Sequence, residues 1–153
     1  MNIIKFTVRD DGYLLDSSAY PAYVQSIKAQ LPLHIFEFMS AEWHYSPRDQ
    51  RCLHDAKLQR MVVDEHHDGE AFSCGLTLYL LGAYGNPLEL RYIGVSRYAL
   101  QKRKTVWPAG QATHGDLLID EMLLLEEGVF HHEIIFEDAT IEVTFRDFSF
   151  SFV

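Results

Sequence analysis

The chain has 153 residues, room for one domain with a substantial core and too few for two ordinary ones. Its 48% hydrophobic and 23% charged residues are ordinary globular usage, which excludes a disordered or fibrous chain, and its net charge of -9 argues against binding to a phosphate backbone. Two cysteines, Cys52 and Cys74, form neither a disulfide framework nor a zinc-finger spacing; with no signal-peptide layout and no apolar run able to span a bilayer, the expected location is the cytoplasm.

Ile4, Phe6 and Val8 alternate with polar neighbours and predict a first strand, closed by the turn signal Asp10-Asp11-Gly12. A helix is expected next. Ser17 or Ser18 is placed to cap it, and Pro21 is tolerated in its first turn. Tyr20, Val24, Ile27 and Leu31 then recur at helical spacing, and Pro32 ends the run. Residues 33–38 read as a short strand.

Residues 40–56 have no clear period. This stretch holds Trp43-His44-Tyr45-Ser46-Pro47 and Cys52-Leu53-His54-Asp55-Ala56, where aromatic, imidazole and carboxylate groups crowd together. From residue 57 onward the pattern is an antiparallel meander. Residues 57–65 form its first strand, and His66-His67-Asp68-Gly69 is read as the turn. Phe72, Cys74, Leu76, Leu78 and Leu80 then alternate with small or polar residues, up to a turn at Gly85-Asn86-Pro87. The apolar phase slips at Gly94 and again at Arg146-Asp147, which suggests bulges in a sheet that bends. Gln101-Lys102-Arg103-Lys104 is the one basic cluster, and Trp107-Pro108-Ala109-Gly110 starts a loop that reaches Gly115. Residues 116–126 fit a helix or a strand, and we read a turn followed by a strand. A turn at Glu127-Gly128 leads to a strand over 129–136, and Glu137-Asp138 turns that into the last strand. The expected fold is one α+β domain, residues 1–153, mostly antiparallel β: a curled meander, as a sandwich or partial barrel, with one N-terminal helix.

Three constellations have chemical potential. His44, His54 and Asp55 with Trp43 and Tyr45 would serve as a base and its orienting carboxylate, or as a structural corner in which Asp55 holds backbone donors and His54 donates to a carbonyl. His131-His132-Glu133 on a strand puts His131 and Glu133 on one face and His132 on the other, too few ligands for a metal site. His114, Asp116, Asp120 and Glu121 would divide acid and base roles or cover a solvated turn. No nucleotide-binding, nucleophile-elbow or zinc-protease motif occurs, so no cofactor, metal or catalytic residue is expected. The candidate binding or structural corner is therefore Trp43, His44, His54 and Asp55.

Leu53-His54-Asp55-Ala56-Lys57-Leu58 enters a strand. It is followed by the alternating run to Leu80, by Leu90-Arg91-Tyr92-Ile93-Gly94-Val95, and by His132-Glu133-Ile134-Ile135-Phe136 and Ile141-Glu142-Val143-Thr144-Phe145. Together these resemble small bacterial strand-rich proteins with a His-Asp-Ala segment before a meander, some of them predicted immunity proteins that neutralise a toxin. The resemblance spans residues 53–153 and implies a non-enzymatic cytoplasmic binding protein. The negative charge suits a basic protein partner such as a toxin, and it also favours solubility. The alternative from another class is a small-molecule binder or enzyme using a His44/His54/Asp55 pocket.

Overall fold

The computed structural model describes residues 1–105 and 112–152. The loop read at Trp107-Pro108-Ala109-Gly110 lies outside the described residues. Among the described residues, ten strands and two α-helices follow one another in the order β1 (Lys5–Arg9), β2 (Gly12–Asp16), α1 (Tyr20–Ile27), α2 (Leu33–Ser40), β3 (Lys57–His67), β4 (Phe72–Leu81), β5 (Pro87–Ile93), β6 (Arg97–Lys102), β7 (Leu117–Glu126), β8 (Val129–Phe136), β9 (Ala139–Phe145) and β10 (Asp147–Phe152). All pairing is antiparallel, so the α+β, mostly antiparallel class is observed. β1 and β2 form a hairpin, and two four-stranded sheets run β10-β5-β4-β3 and β6-β9-β8-β7. The sheets are not closed into a barrel. They share one core, in which Leu78, Leu90 and Tyr92 of the first meet Phe130, Ile134, Val143 and Phe145 of the second.

The two phase slips are not bulges within a bending strand. They are the points where the chain changes sheets. β5 belongs to the first sheet and β6 to the second, with Gly94 between them at φ 65°. β9 and β10 divide in the same way around Arg146. The two corners lie against each other: Arg146 N–H donates to Ile93 O (3.0 Å), and Ser96 N–H to Thr144 O (3.0 Å). A Cβ on Gly94 would stand 3.1 Å from Arg146 Cβ, so both the positive φ and the close approach call for glycine. Strands that switch sheets at a corner let one chain build both layers of a sandwich.

Other differences are local. β2 was not foreseen. α1 starts at Tyr20 with Ala19 as N-cap and no side-chain cap, while Pro21 takes its place in the first turn. Residues 33–38 are helical rather than extended, which makes a second helix. The Pro32 carbonyl accepts Ile35 N–H (3.1 Å) and Phe36 N–H (3.0 Å), so the proline that closes one helical run starts the next. Ile35, Phe38 and Met39, at i, i+3 and i+4, are the buried face of α2. Phe38 packs on Phe148 (4.7 Å between centroids) and Phe150 (5.5 Å) of β10. His66 and His67 continue β3, and the turn begins at Asp68. Among the described residues, no helix is long and apolar enough to cross a membrane.

Candidate functional site

β7 is an edge strand, and its free edge is capped by groups from the segment that lacks a period and from α1. Asp55 N–H donates to Leu117 O (2.8 Å) and Leu117 N–H to Ala56 O (2.8 Å). His54 Nδ1 donates to Leu118 O (2.8 Å), Tyr45 OH to Asp120 O (2.9 Å) and Tyr20 OH to Met122 O (2.7 Å), while Leu124 N–H donates to Tyr23 OH (2.9 Å). An open strand edge is a template for foreign pairing, and this one is covered along its length. The irregular segment has no helical or strand period because its side chains act as edge partners.

The same strand carries two buried acids, which point to opposite faces. Glu121 is 1% exposed, and its carboxylate accepts the N–H groups of Asn2 (2.8 Å), Ile3 (2.8 Å) and Ile4 (2.6 Å), fixing the first residues against β7. Asp120 is 2% exposed, and its Oδ2 accepts both His44 Nε2 and His132 Nε2, each at 2.8 Å. His44 Nδ1 donates to Phe38 O (2.8 Å), and the Tyr92 hydroxyl donates to His132 Nδ1 (2.8 Å). Two acceptors fix the protons of His44, while burial fixes those of His132, whose hydroxyl partner can donate or accept. His44 faces acceptors at both nitrogens and is an imidazolium, whereas His132 accepts at one nitrogen, donates at the other and is neutral. Burial alone would discharge His44, but the Asp120 carboxylate and the Phe38 carbonyl outweigh it and hold its pKa above the ordinary value. Burial holds that of His132 below. Burial likewise works against the Asp120 charge, yet the two imidazoles keep its carboxyl well below the usual range. The result is a buried ion pair extended by two neutral groups. It runs from the segment after α2 through β7 and β8 to β5, and so ties both sheets together.

The four residues of the expected corner stay neighbours but do not all line one pocket. His44 and His54 line one pocket, of about 210 Å³, together with Leu15, Ser17, Tyr45, Pro47, Cys52, Leu117, Leu118, Ile119 and Asp120. Trp43 stacks on His44 (5.7 Å) and Phe150 (5.1 Å), with the Arg51 guanidinium over its ring (5.3 Å), and is not part of the pocket lining. Asp55 does not hold backbone donors with its carboxylate. That side chain is 54% exposed, its carboxylate lies 3.4 Å from His54 Nε2, and the residue is the one described non-glycine at positive φ, 63°. The expectation of a carbonyl partner for His54 is met by Leu118. His131 and Glu133 do share the face opposite His132. The reading of Asp120 and Glu121 as a solvated turn is corrected, since both are buried in β7; Asp116 is half-buried and paired with Lys57 at 2.9 Å.

In the cluster every histidine ring nitrogen is engaged. Burial pushes the Cys52 thiol up, and its Sγ is engaged with His44 O (3.2 Å), so it is neither a thiolate nor beside a free base. Burial and the Asp120 charge also push the Tyr20, Tyr45 and Tyr92 hydroxyls well above their ordinary value. Among the described residues, no group of three or more His, Cys, Asp or Glu side chains is placed to hold a metal ion. Asp120 and His132 were singled out from sequence, but in separate constellations and never with His44; Tyr92 was missed. The signal for Asp120 was present: an acid inside the apolar run Leu117-Leu118-Ile119 and Met122-Leu123-Leu124 must be either exposed or paired. No protein-family model matches the chain, and no curated protein matches it significantly.

Proposed function

We propose that the chain is a bacterial cytoplasmic binding protein of the immunity type, which engages a basic protein partner, such as a toxin, through an acidic surface. The observation that carries this reading is the outer end of the β3–β4 hairpin. β5 pairs with β4 only as far as Gly75, opposite Ile93, so beyond it β3 and β4 continue as a two-stranded ribbon. Residues 63–73 are all exposed, and they include Asp64, Glu65, Asp68 and Glu70. No Lys or Arg occurs anywhere from residue 61 to 90, so the ribbon's charge is not balanced from within. Phe72, 72% exposed, stands beside His67 at 4.6 Å and gives the acidic ribbon an aromatic anchor. Opposite charge speeds encounter, and a central aromatic supplies binding energy. The contrast with β7 supports the same surface: among the described residues, no group outside β4 hydrogen-bonds to the β3 main chain. The engagement of all four ring nitrogens of His44 and His132 supports a binding role over a catalytic one.

The test uses the basic products of genes encoded next to this one. The reading expects saturable binding to one of them that weakens steeply with salt, and protection of cells that express it. The combined variant Asp64→Lys, Glu65→Lys, Asp68→Lys, Glu70→Lys should lose both while keeping its melting temperature. Equal binding by wild type and variant, or no binding to any neighbouring product, would refute it.

A further inference from the structure

We infer that the pocket beside Asp120 is a binding site for a small neutral ring compound that donates one hydrogen bond. The site is independent of the acidic ribbon. Its walls are mostly apolar and come from β2 (Leu15), the edge-capping segment (Tyr45, Pro47, Cys52, His54) and β7 (Leu117, Leu118, Ile119). At about 210 Å³ it is smaller than the roughly 300 Å³ at which pockets for drug-sized ligands begin. One or two fused rings is the size it accepts. A larger hollow of about 560 Å³, between Arg48, Asp49, Gln50, Arg51, Tyr84 and Phe152, has a charged lining in which Arg51 is already tied to Asp49.

The electrostatics select the ligand. Asp120 is a wall of the pocket, and both of its histidine hydrogen bonds fall on Oδ2. Among the described residues no donor meets Oδ1, and it is not one of the buried unpartnered oxygens, which leaves an accessible carboxylate oxygen free to accept. An anion is refused by that carboxylate. A cation is refused because the charge of Asp120 is already balanced by the His44 imidazolium, and a second cation would be buried without a counter-charge. A neutral donor fits. His54, anchored through Nδ1 to Leu118, is held in place on the same wall. An apolar pocket with a few fixed polar groups is the usual form of a small-molecule site.

The test uses the intact chain with two probes of nearly equal shape, indole and 1-methylindole, of which only indole has a donor. Saturation-transfer NMR and a titration give the affinities, and a ring-proton shift of His54 locates the site. The expected result is a Kd for indole below about 1 mM, reasonable for about nine heavy atoms. Loss of the donor should weaken binding by about tenfold or more, because a hydrogen bond to a charged acceptor is at stake. Leu15→Trp, at a half-buried wall position, should abolish indole binding with the melting curve retained. Equal affinity for the two probes would overturn the proposal, since Asp120 would then recognise nothing. So would the absence of binding, or binding that survives in a folded Leu15→Trp.

Discussion

At the scale of single residues, Asp55 and Asp120 exchange the roles that their sequence settings suggest. Asp55 sits in the irregular segment beside His54 and looks like a carboxylate with work to do, yet its side chain is in solvent and its contribution is a left-handed backbone. Asn also tolerates that conformation, whereas a β-branched residue pays about 1–2 kcal/mol. Asp55→Val should therefore cost about 1–2 kcal/mol, and Asp55→Asn should stay within about 0.5 kcal/mol. Urea unfolding of both variants decides it, because equal damage would return the role to the carboxylate. Asp120 is the opposite case. Removing one partner of a buried ion pair strands the other, so Asp120→Ala should cost about 3–5 kcal/mol, seen as a fall in the urea midpoint. A loss under about 1 kcal/mol would show that His44 sheds its proton freely and that the pair is not a structural unit. The sequence could show an acid in an apolar run but not its partners: His44 lies 76 positions away and His132 12, and only tertiary packing brings them together.

Among the elements, the alternating strands were legible because one face of each is buried and the other is wet, which writes a period of two into the residues. β8 and β9 show this directly, with strictly alternating burial. α2 was not legible. Its eight residues, Leu33–Ser40, are too short for helical periodicity to stand out, and Leu33 with Ile35 mimics alternation. The two readings make different claims about Leu33. A strand would place Leu33 on the same buried face as Ile35, whereas the helix leaves it 70% exposed and buries Phe38 at 5%. Leu33→Ala should change stability by less than about 0.5 kcal/mol, and Phe38→Ala should cost about 3–5 kcal/mol, both read from thermal melts. Comparable losses would restore the strand. The sheet-crossing corners were half legible: the phase slips at Gly94 and Arg146 were visible in the sequence, but a slip of parity has the same appearance whether a strand bulges or leaves for another sheet.

For the whole molecule, the His44–Asp120–His132–Tyr92 chain joins the lead-in segment to both sheets, so its protonation bears on global unfolding rather than on one loop. The histidines act in opposite directions. The folded pKa of His44 is raised, so its stabilisation is complete below the unfolded value of about 6.5 and is lost as pH rises through the folded value. The folded pKa of His132 is lowered. Below about pH 6.5 the unfolded chain takes up a proton that the folded ring refuses, and stability falls on acidification. The depressed carboxyl of Asp120 adds a further loss as pH falls below about 3.9. The buried tyrosines and Cys52 ionise above the interval from about pH 6 to 8, and His114, lowered by burial, acts on the acid side together with His132. The melting temperature should therefore peak near pH 6.5 and decline on both sides, with a slope of at most about 1.4 kcal/mol per pH unit for each proton exchanged. Ring NMR resonances assign the two arms. His44 should remain an imidazolium above pH 6.5 in the folded protein, and His132 should remain neutral below it. A stability that keeps rising from pH 6.5 to 8, with a neutral His44 ring, would show that the buried pair is not ionic and that the network is held by neutral hydrogen bonds alone.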